Sequence, residues 1–361
     1  MRVSIGIATV ACLVLFAGLA AVPTRRATSP APQSTVAAGA TARIVASAQA
    51  FLKTLDDAAR AKVQFRFDDT AQKTRWSNLP SGIFKREGLR LGDLTPTQRA
   101  AAMALLQTAL SRPGYQKVIA IMRADDVFRD SAAGNGPAGG PPAGPGGAAP
   151  RVAFGSDEFY LAFLGAPSTT DPWMLQYGGH HLAINLTLAG RRATLAPSLT
   201  GVQPATYTIE RHTVRPLGEE SDRAIALMAR LHVAQQGKAI LNYRVADLVL
   251  GPGQDGRTIQ PEGVPATDLT PSQQTLLLDL VRQWVGIAND AFAAPRMDEI
   301  RANLPHTYFA WSGPTTPGSV AYFRIQGPTL VIEYAPQRTI DHIHTIYRDP
   351  TNDYGAAYAR Q

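Results

Sequence analysis

The hexapeptide Asp93-Leu94-Thr95-Pro96-Thr97-Gln98 returns 175 residues later as Asp268-Leu269-Thr270-Pro271-Ser272-Gln273. In each copy a threonine can cap a helix and a proline takes the first helical position, where its missing N–H costs nothing. A glutamine then completes a capping box. Upstream, Glu87-Gly88-Leu89 matches Glu262-Gly263-Val264 at the same offset. Downstream, residues 159–187 can be laid over residues 307–335 at an offset of 148, pairing Tyr160 with Tyr308, Gly165 with Gly313, Gly179 with Gly327 and Ile184 with Ile332. The two offsets differ by 27, roughly the size of a low-complexity insertion in the first half. The echo reads as an ancient duplication. Capping boxes and Gly-centred hairpins are also common turn chemistry, and chance recurrence stays open. The fold class expected is α+β, with helices packed on a largely antiparallel sheet and two duplicated units, 42–215 and 216–361, forming one body.

The ends of this body are set by composition. Met1-Arg2, an apolar stretch from Ile5 to Leu19 and the small-x-small triplet Gly18-Leu19-Ala20 read as a signal peptide over residues 1–20. The chain is therefore expected to be exported, to a periplasm or the extracellular space. An uncleaved segment acting as an anchor is the one membrane role envisaged. Residues 21–41, rich in Pro, Ala, Ser and Thr, read as a flexible tether. Residues 131–150 combine Gly, Pro and Ala with nothing to bury and read as a disordered insertion.

Helices are expected over Ala42–Lys62, from Pro96 onward with a stripe of Ala102, Leu105, Leu106 and Leu110, and over Tyr115–Val127. A fourth covers Ala224–His232, with Glu219 and Glu220 where the helix dipole favours carboxylates. A fifth, with Leu276, Leu277, Leu280, Val281 and Trp284, has the thick apolar face of a core helix.

Several chemistries fall away. The single cysteine, Cys12, lies inside the export signal, so cleavage leaves no thiolate nucleophile, disulfide or cysteine-ligated metal. The charge of +7 is dispersed, without a run of Lys/Arg suited to tracking phosphates, and no nucleic-acid partner is expected. No Gly-x-Ser-x-Gly elbow, His-Glu-x-x-His, phosphate loop or dinucleotide fingerprint occurs.

Four of the seven histidines fall in two pairs, His180-His181 and His342-Ile343-His344. Strand alternation puts His342, His344 and Ile346 on one face and Ile343 and Thr345 on the other, so two imidazoles can clasp one zinc, copper or iron ion. His180 and His181 would point oppositely on a regular strand unless Gly178-Gly179 introduces a bulge. The expected metal ligands are His180, His181, His342 and His344, with Glu333 as a further ligand or base and His181 and Arg324 in catalytic roles. Asp341 or Asp349 is expected to orient the rings. Trp173, Gln176, Tyr177, Trp311, Tyr322, Arg324, Gln326, Tyr334 and Tyr347 would wall a small organic or sugar-like ligand. A metal-free pocket and purely structural histidines stay open. His212, His232 and His306 are isolated and read as surface or packing residues.

The segments Trp173–Asn185, Arg324–Thr329, Ile332–Tyr334 and Asp341–Gly355 resemble signatures of a bacterial exported family classed as a domain of unknown function, DUF3500. The resemblance spans about residues 42–361, and the Gly/Pro insertion is this chain's own. It implies no activity. Its segments coincide with the paired histidines. The function expected from the residues is an exported metal-dependent hydrolase acting on an ester, amide or glycosidic bond. A metal-dependent oxidoreductase and a non-catalytic periplasmic or surface ligand-binding protein are the alternatives.

Overall fold

The structure, a computed structural model, describes residues 33–131 and 152–358. The expected signal peptide, the tether as far as residue 32 and nearly all of the Gly/Pro insertion lie outside these residues.

The first half runs α1 (Gln33–Lys53), α2 (Asp57–Val63), β1 (Gln64–Phe65), α3 (Thr70–Lys73), β2 (Leu89–Arg90), α4 (Pro96–Ala109) and α5 (Arg112–Asp130). It then turns to strands: β3 (Tyr160–Leu164), β4 (Trp173–Gly179), β5 (Leu182–Ala189), β6 (Arg192–Thr194) and β7 (Ser198–Val202). A separate hairpin, β8 (Tyr207–Ile209) and β9 (His212–Val214), leads into the second half. That half runs α6 (Gly218–Arg230), α7 (Val233–Ala239), β10 (Val264–Pro265), α8 (Pro271–Val285) and α9 (Asp290–Ala302). It ends in β11 (Tyr308–Ser312), β12 (Tyr322–Gly327), β13 (Leu330–Pro336) and β14 (Ile343–Arg348).

Twelve strands form one sheet in the order β1-β3-β4-β5-β7-β14-β13-β12-β11-β10, with β2 beside β3 and β6 beside β5. All pairs are antiparallel except β1–β3. The fold is thus α+β, with helices on a largely antiparallel sheet. Two hairpins, β4–β5 and β12–β13, match in register. Gln176 lies opposite Asn185 as Arg324 lies opposite Glu333. Both capping boxes form, Thr95 with Gln98 and Thr270 with Gln273. Gly88 and Gly263 share a positive φ of 106° and 102°, and a Cβ on either would lie 2.4 Å from the Leu161 carbonyl oxygen or 2.1 Å from that of Phe309. The halves meet at β7–β14, where Thr200 sits opposite Thr345 with their hydroxyls 2.7 Å apart.

One sheet face packs on the helices through alternate residues such as Leu175, Tyr177, Ile184, Phe323, Ile325 and Ile332, all buried with Leu105, Leu277 and Trp284. The opposite face carries Gln176, Asn185, Glu333, Arg324, His344 and Arg348 around a small apolar cluster of Trp76, Ala183, Leu199 and Ile346. Trp76 belongs to the irregular segment 74–88, and Leu248, packed on the same cluster, to the irregular segment 241–263.

Several boundaries differ from expectation: α5 begins at Arg112 and not Tyr115, and α6 ends at Arg230 and leaves His232 outside it. Helix α1 already begins at Gln33, inside the expected tether, because Ala37, Ala40, Ile44 and Ala48 recur at helical spacing and are buried. It stops at Lys53, not Lys62, and Asp56 caps the separate α2 by accepting from the Ala59 amide at 2.7 Å. Among the described residues no helix is long and apolar enough to cross a membrane.

Candidate metal centre

His180 and His181 are not strand residues. They form the two-residue connection between β4 and β5, and His181 adopts the left-handed conformation with φ 61°. The expectation of opposite-pointing strand neighbours is corrected accordingly. The turn is held on both sides: the His181 amide donates to the Asn78 carbonyl at 3.2 Å, and its carbonyl accepts from the Gly201 amide at 2.6 Å. Arg86 adds a clamp, with Nη2 donating to the carbonyls of Ser77, Leu79 and Gly179 at 2.7–2.8 Å. Gly201 leaves room for the ring. A Cβ there would lie 3.1 Å from His181 Cδ2 and 2.9 Å from the Ile343 carbonyl oxygen.

The second pair comes from the other half. In β14, Thr345 turns to the helices and accepts from Trp284 Nε1 at 2.8 Å, while His344 turns to the opposite face, across from Gly201 on β7. His342 lies just before the strand on the side of His344. The Nε2 atoms converge: His181 to His342 is 2.9 Å and His342 to His344 is 3.0 Å. An imidazole nitrogen offers one lone pair or one proton in its ring plane, so His342 Nε2 cannot serve both neighbours by hydrogen bonding. A cation accepting one lone pair from each ring does satisfy all three. Ligand nitrogens at 2.0–2.1 Å around a tetrahedral ion stand about 3.3 Å apart, close to the spacing seen. His181, His342 and His344 could hold a metal ion, each contributing one nitrogen within 4.8 Å of the others.

The electrostatics suit a lone-pair donor set. His181 is held well below the ordinary imidazole range, by burial first and then by the His180, His344 and His342 rings. His342 is lowered to about 4 by burial, then by His344 and His180, with Asp247 opposing. His344 Nδ1 lies 3.3 Å from Asp247 Oδ1. A carboxylate only accepts, so Nδ1 carries the proton and Nε2 keeps its lone pair for the shared point. Burial would raise Asp247, but hydrogen bonds from His344, the Leu248 amide and Gln337 outweigh it and hold the carboxyl below its ordinary value. The Asn78 amide nitrogen lies 3.3 Å from His344 Nε2, beside the same point.

Other expected site residues stand elsewhere. His180, expected as a ligand, is outside the group of three: its Nδ1 lies 2.5 Å from Asp125 Oδ1 on α5, and its ring stacks on His181 at 3.7 Å. Glu333 is fully buried and its carboxylate is already engaged. Oε1 accepts from the Val249 amide and the Tyr322 hydroxyl, and Oε2 from the Leu250 amide, at 2.6–2.9 Å. Arg324 donates to Glu262 at 2.8 Å. Asp341 accepts from the Ala205 amide and Asp349 pairs with Arg296, so the ring-orienting carboxylate is Asp247 and not either of these. The expected aromatic wall is divided by strand alternation: Trp173, Tyr177, Trp311, Tyr334 and Tyr347 face the helices, and Gln176, Tyr322, Arg324 and Gln326 the opposite side. His232 caps α7, and His212 and His306 are exposed.

Asp247 and Asn78 were missed because irregular segments bring them in. Asp247 is 97 residues from His344 along the chain, and no spacing rule links them.

A family model described as "Protein of unknown function (DUF3500)" matches residues 37–356, which include every residue of this centre. The chain belongs to that family. No curated protein and no solved structure matches it. Membership in DUF3500 brings no activity with it, so the chemistry rests on the residues themselves.

Proposed function

We propose that this chain is an exported metal-dependent enzyme whose His181–His342–His344 centre holds one divalent transition metal, zinc first, and supports hydrolysis. The observation behind it is the meeting of three Nε2 atoms at 2.9 and 3.0 Å from two distant parts of the chain. Three neutral imidazoles with no thiolate suit zinc, copper or iron. Three protein ligands around zinc leave a fourth position for water, whose pKa falls toward ~7. The chain's own contribution is orientation. Asp247 fixes the His344 tautomer, Gly201 admits the His181 ring, and the Asn78 amide nitrogen stands 3.3 Å from His344 Nε2.

The test is elemental analysis of the chain purified without a histidine tag after zinc supplementation. About one equivalent is expected, and fewer than about 0.2 would remove the metal reading. The zinc-loaded protein is then assayed on nitrophenyl esters, nitroanilide amides and nitrophenyl glycosides, beside His344→Ala. Turnover that His344→Ala abolishes supports hydrolysis. Stoichiometric zinc without turnover on any of the three removes it and leaves the binding site.

A further inference from the structure

A second site lies on the helix-facing side of the second half. Where β11, β12 and β13 meet the start of α6, packing leaves a cavity of about 350 Å³. Protein interiors hold few voids larger than a water molecule, and ligand pockets begin near ~300 Å³. Its floor is an aromatic ladder: Trp311, Phe323 and Tyr334 stand opposite one another on three neighbouring strands. Their centroids are 6.0 and 4.8 Å apart, with the rings inclined by 11° and 9°. Leu217 and Ile225 line one side, and Ile340 and Ile343, which bracket His342 in the chain, line the other.

The repeat explains the space. In the first half the ladder positions, 148 residues earlier, are Phe163, Leu175 and Leu186, all fully buried, with Phe51 of α1 packed on Phe163. Helix α1 has 21 residues, and its early turns bury Ala37, Ala40 and Thr41. Helix α6 has 13 and begins at Gly218, which lines the cavity. The cavity sits at that shortened end. The charges at its rim are already paired: Arg215 holds Asp222 through two bonds of 2.8 Å. Tyr334, Phe323 and Trp311 are all buried, so the floor presents ring surface and little else. A charged ligand would find no unpaired counter-charge in this rim pair, and a flat apolar one finds ring edges and aliphatic walls.

We infer that this cavity is a binding site for a small, uncharged, largely apolar organic molecule, on the other sheet face from the metal centre. The probe is N-phenyl-1-naphthylamine, uncharged and fluorescent in dry surroundings, titrated into the full chain. Saturable emission at about one equivalent is expected. Ile225→Trp and Ser221→Trp, which fill the cavity from α6, should each weaken binding at least tenfold, with Val233→Trp at an 86% exposed position behaving as wild type. Two filling variants guard against one failing to fold, as judged by circular dichroism. No saturable emission in wild type, or unchanged affinity in the folded filling variants, overturns the inference.

Discussion

His181 Nε2 lies 2.9 Å from His342 Nε2 although 161 residues separate them in the chain. The contact closes across β7, the strand through which the first half of the sheet joins β14 of the second. A centre built this way depends on the docking of two halves, and each of its ligands can be removed without touching the helical core.

Removing ligands one at a time should separate three histidines from four. His181→Ala, His342→Ala and His344→Ala are each expected to weaken zinc binding more than the ~10–100-fold typical of outer partners. His180→Phe keeps a ring to stack on His181 and should retain about one equivalent. Competition titration against a chromophoric chelator reads both. Equal losses in all four variants would return His180 to the ligand set.

Asp247 would act on a bound metal only through His344. Asp247→Ala should cost ~10–100-fold in zinc affinity while leaving stability nearly unchanged, since the side chain is half exposed. Unchanged affinity, measured by the same titration, would mean that His344 needs no orienting partner.

The parts of this centre differ in how far the sequence reveals them. His342 and His344 share a face because side chains alternate along any strand, so that pair is legible from spacing alone. His181 is harder, since its direction depends on a left-handed turn that two glycines permit but do not specify. Glu333 shows the limit of the method. Alternation puts it on the face of His344, yet its lone pairs are taken by amides of a segment whose path only packing decides. The two capping boxes were legible in the sequence, and the start of α1 was not, because its alanine-rich turns resemble a linker in composition.

Glu333 is therefore expected to be structural. Glu333→Ala removes the acceptor of two backbone amides and the Tyr322 hydroxyl, leaving buried donors unpaired at a cost of about 3 kcal/mol. Denaturant unfolding should show that loss, while zinc stoichiometry in the folded fraction stays near one. Loss of zinc at unchanged stability would restore Glu333 as a ligand.

The metal-free chain should weaken in mild acid. His342 titrates near 4 in the fold, below its ordinary value of 6.5. Between those values the unfolded chain binds a proton that the folded one refuses. The stabilising contribution is thus present above about 6.5 and is lost as pH falls toward 4. Thermal melts of chelator-treated protein should drop more steeply over that window for wild type than for His342→Gln. Parallel slopes would show that His342 is not the group responsible.

Gly201 offers the sharpest steric test of the centre. It lies opposite His344 across β7–β14 and beneath the His181 ring, with its amide bonded to the His181 carbonyl. An alanine methyl would stand 2.9 Å from the Ile343 carbonyl oxygen, which is backbone and cannot swing aside, and 3.1 Å from His181 Cδ2. Overpacking of this kind costs about 1–3 kcal/mol, and relief by moving the ring takes Nε2 away from the point it shares with His342 and His344. Gly201→Ala should therefore lower the melting temperature and also weaken zinc binding at least tenfold in the folded protein. A stability loss with zinc affinity intact would mean that the strand shifts and the ring does not, and that the centre tolerates more play than its nitrogen spacing implies.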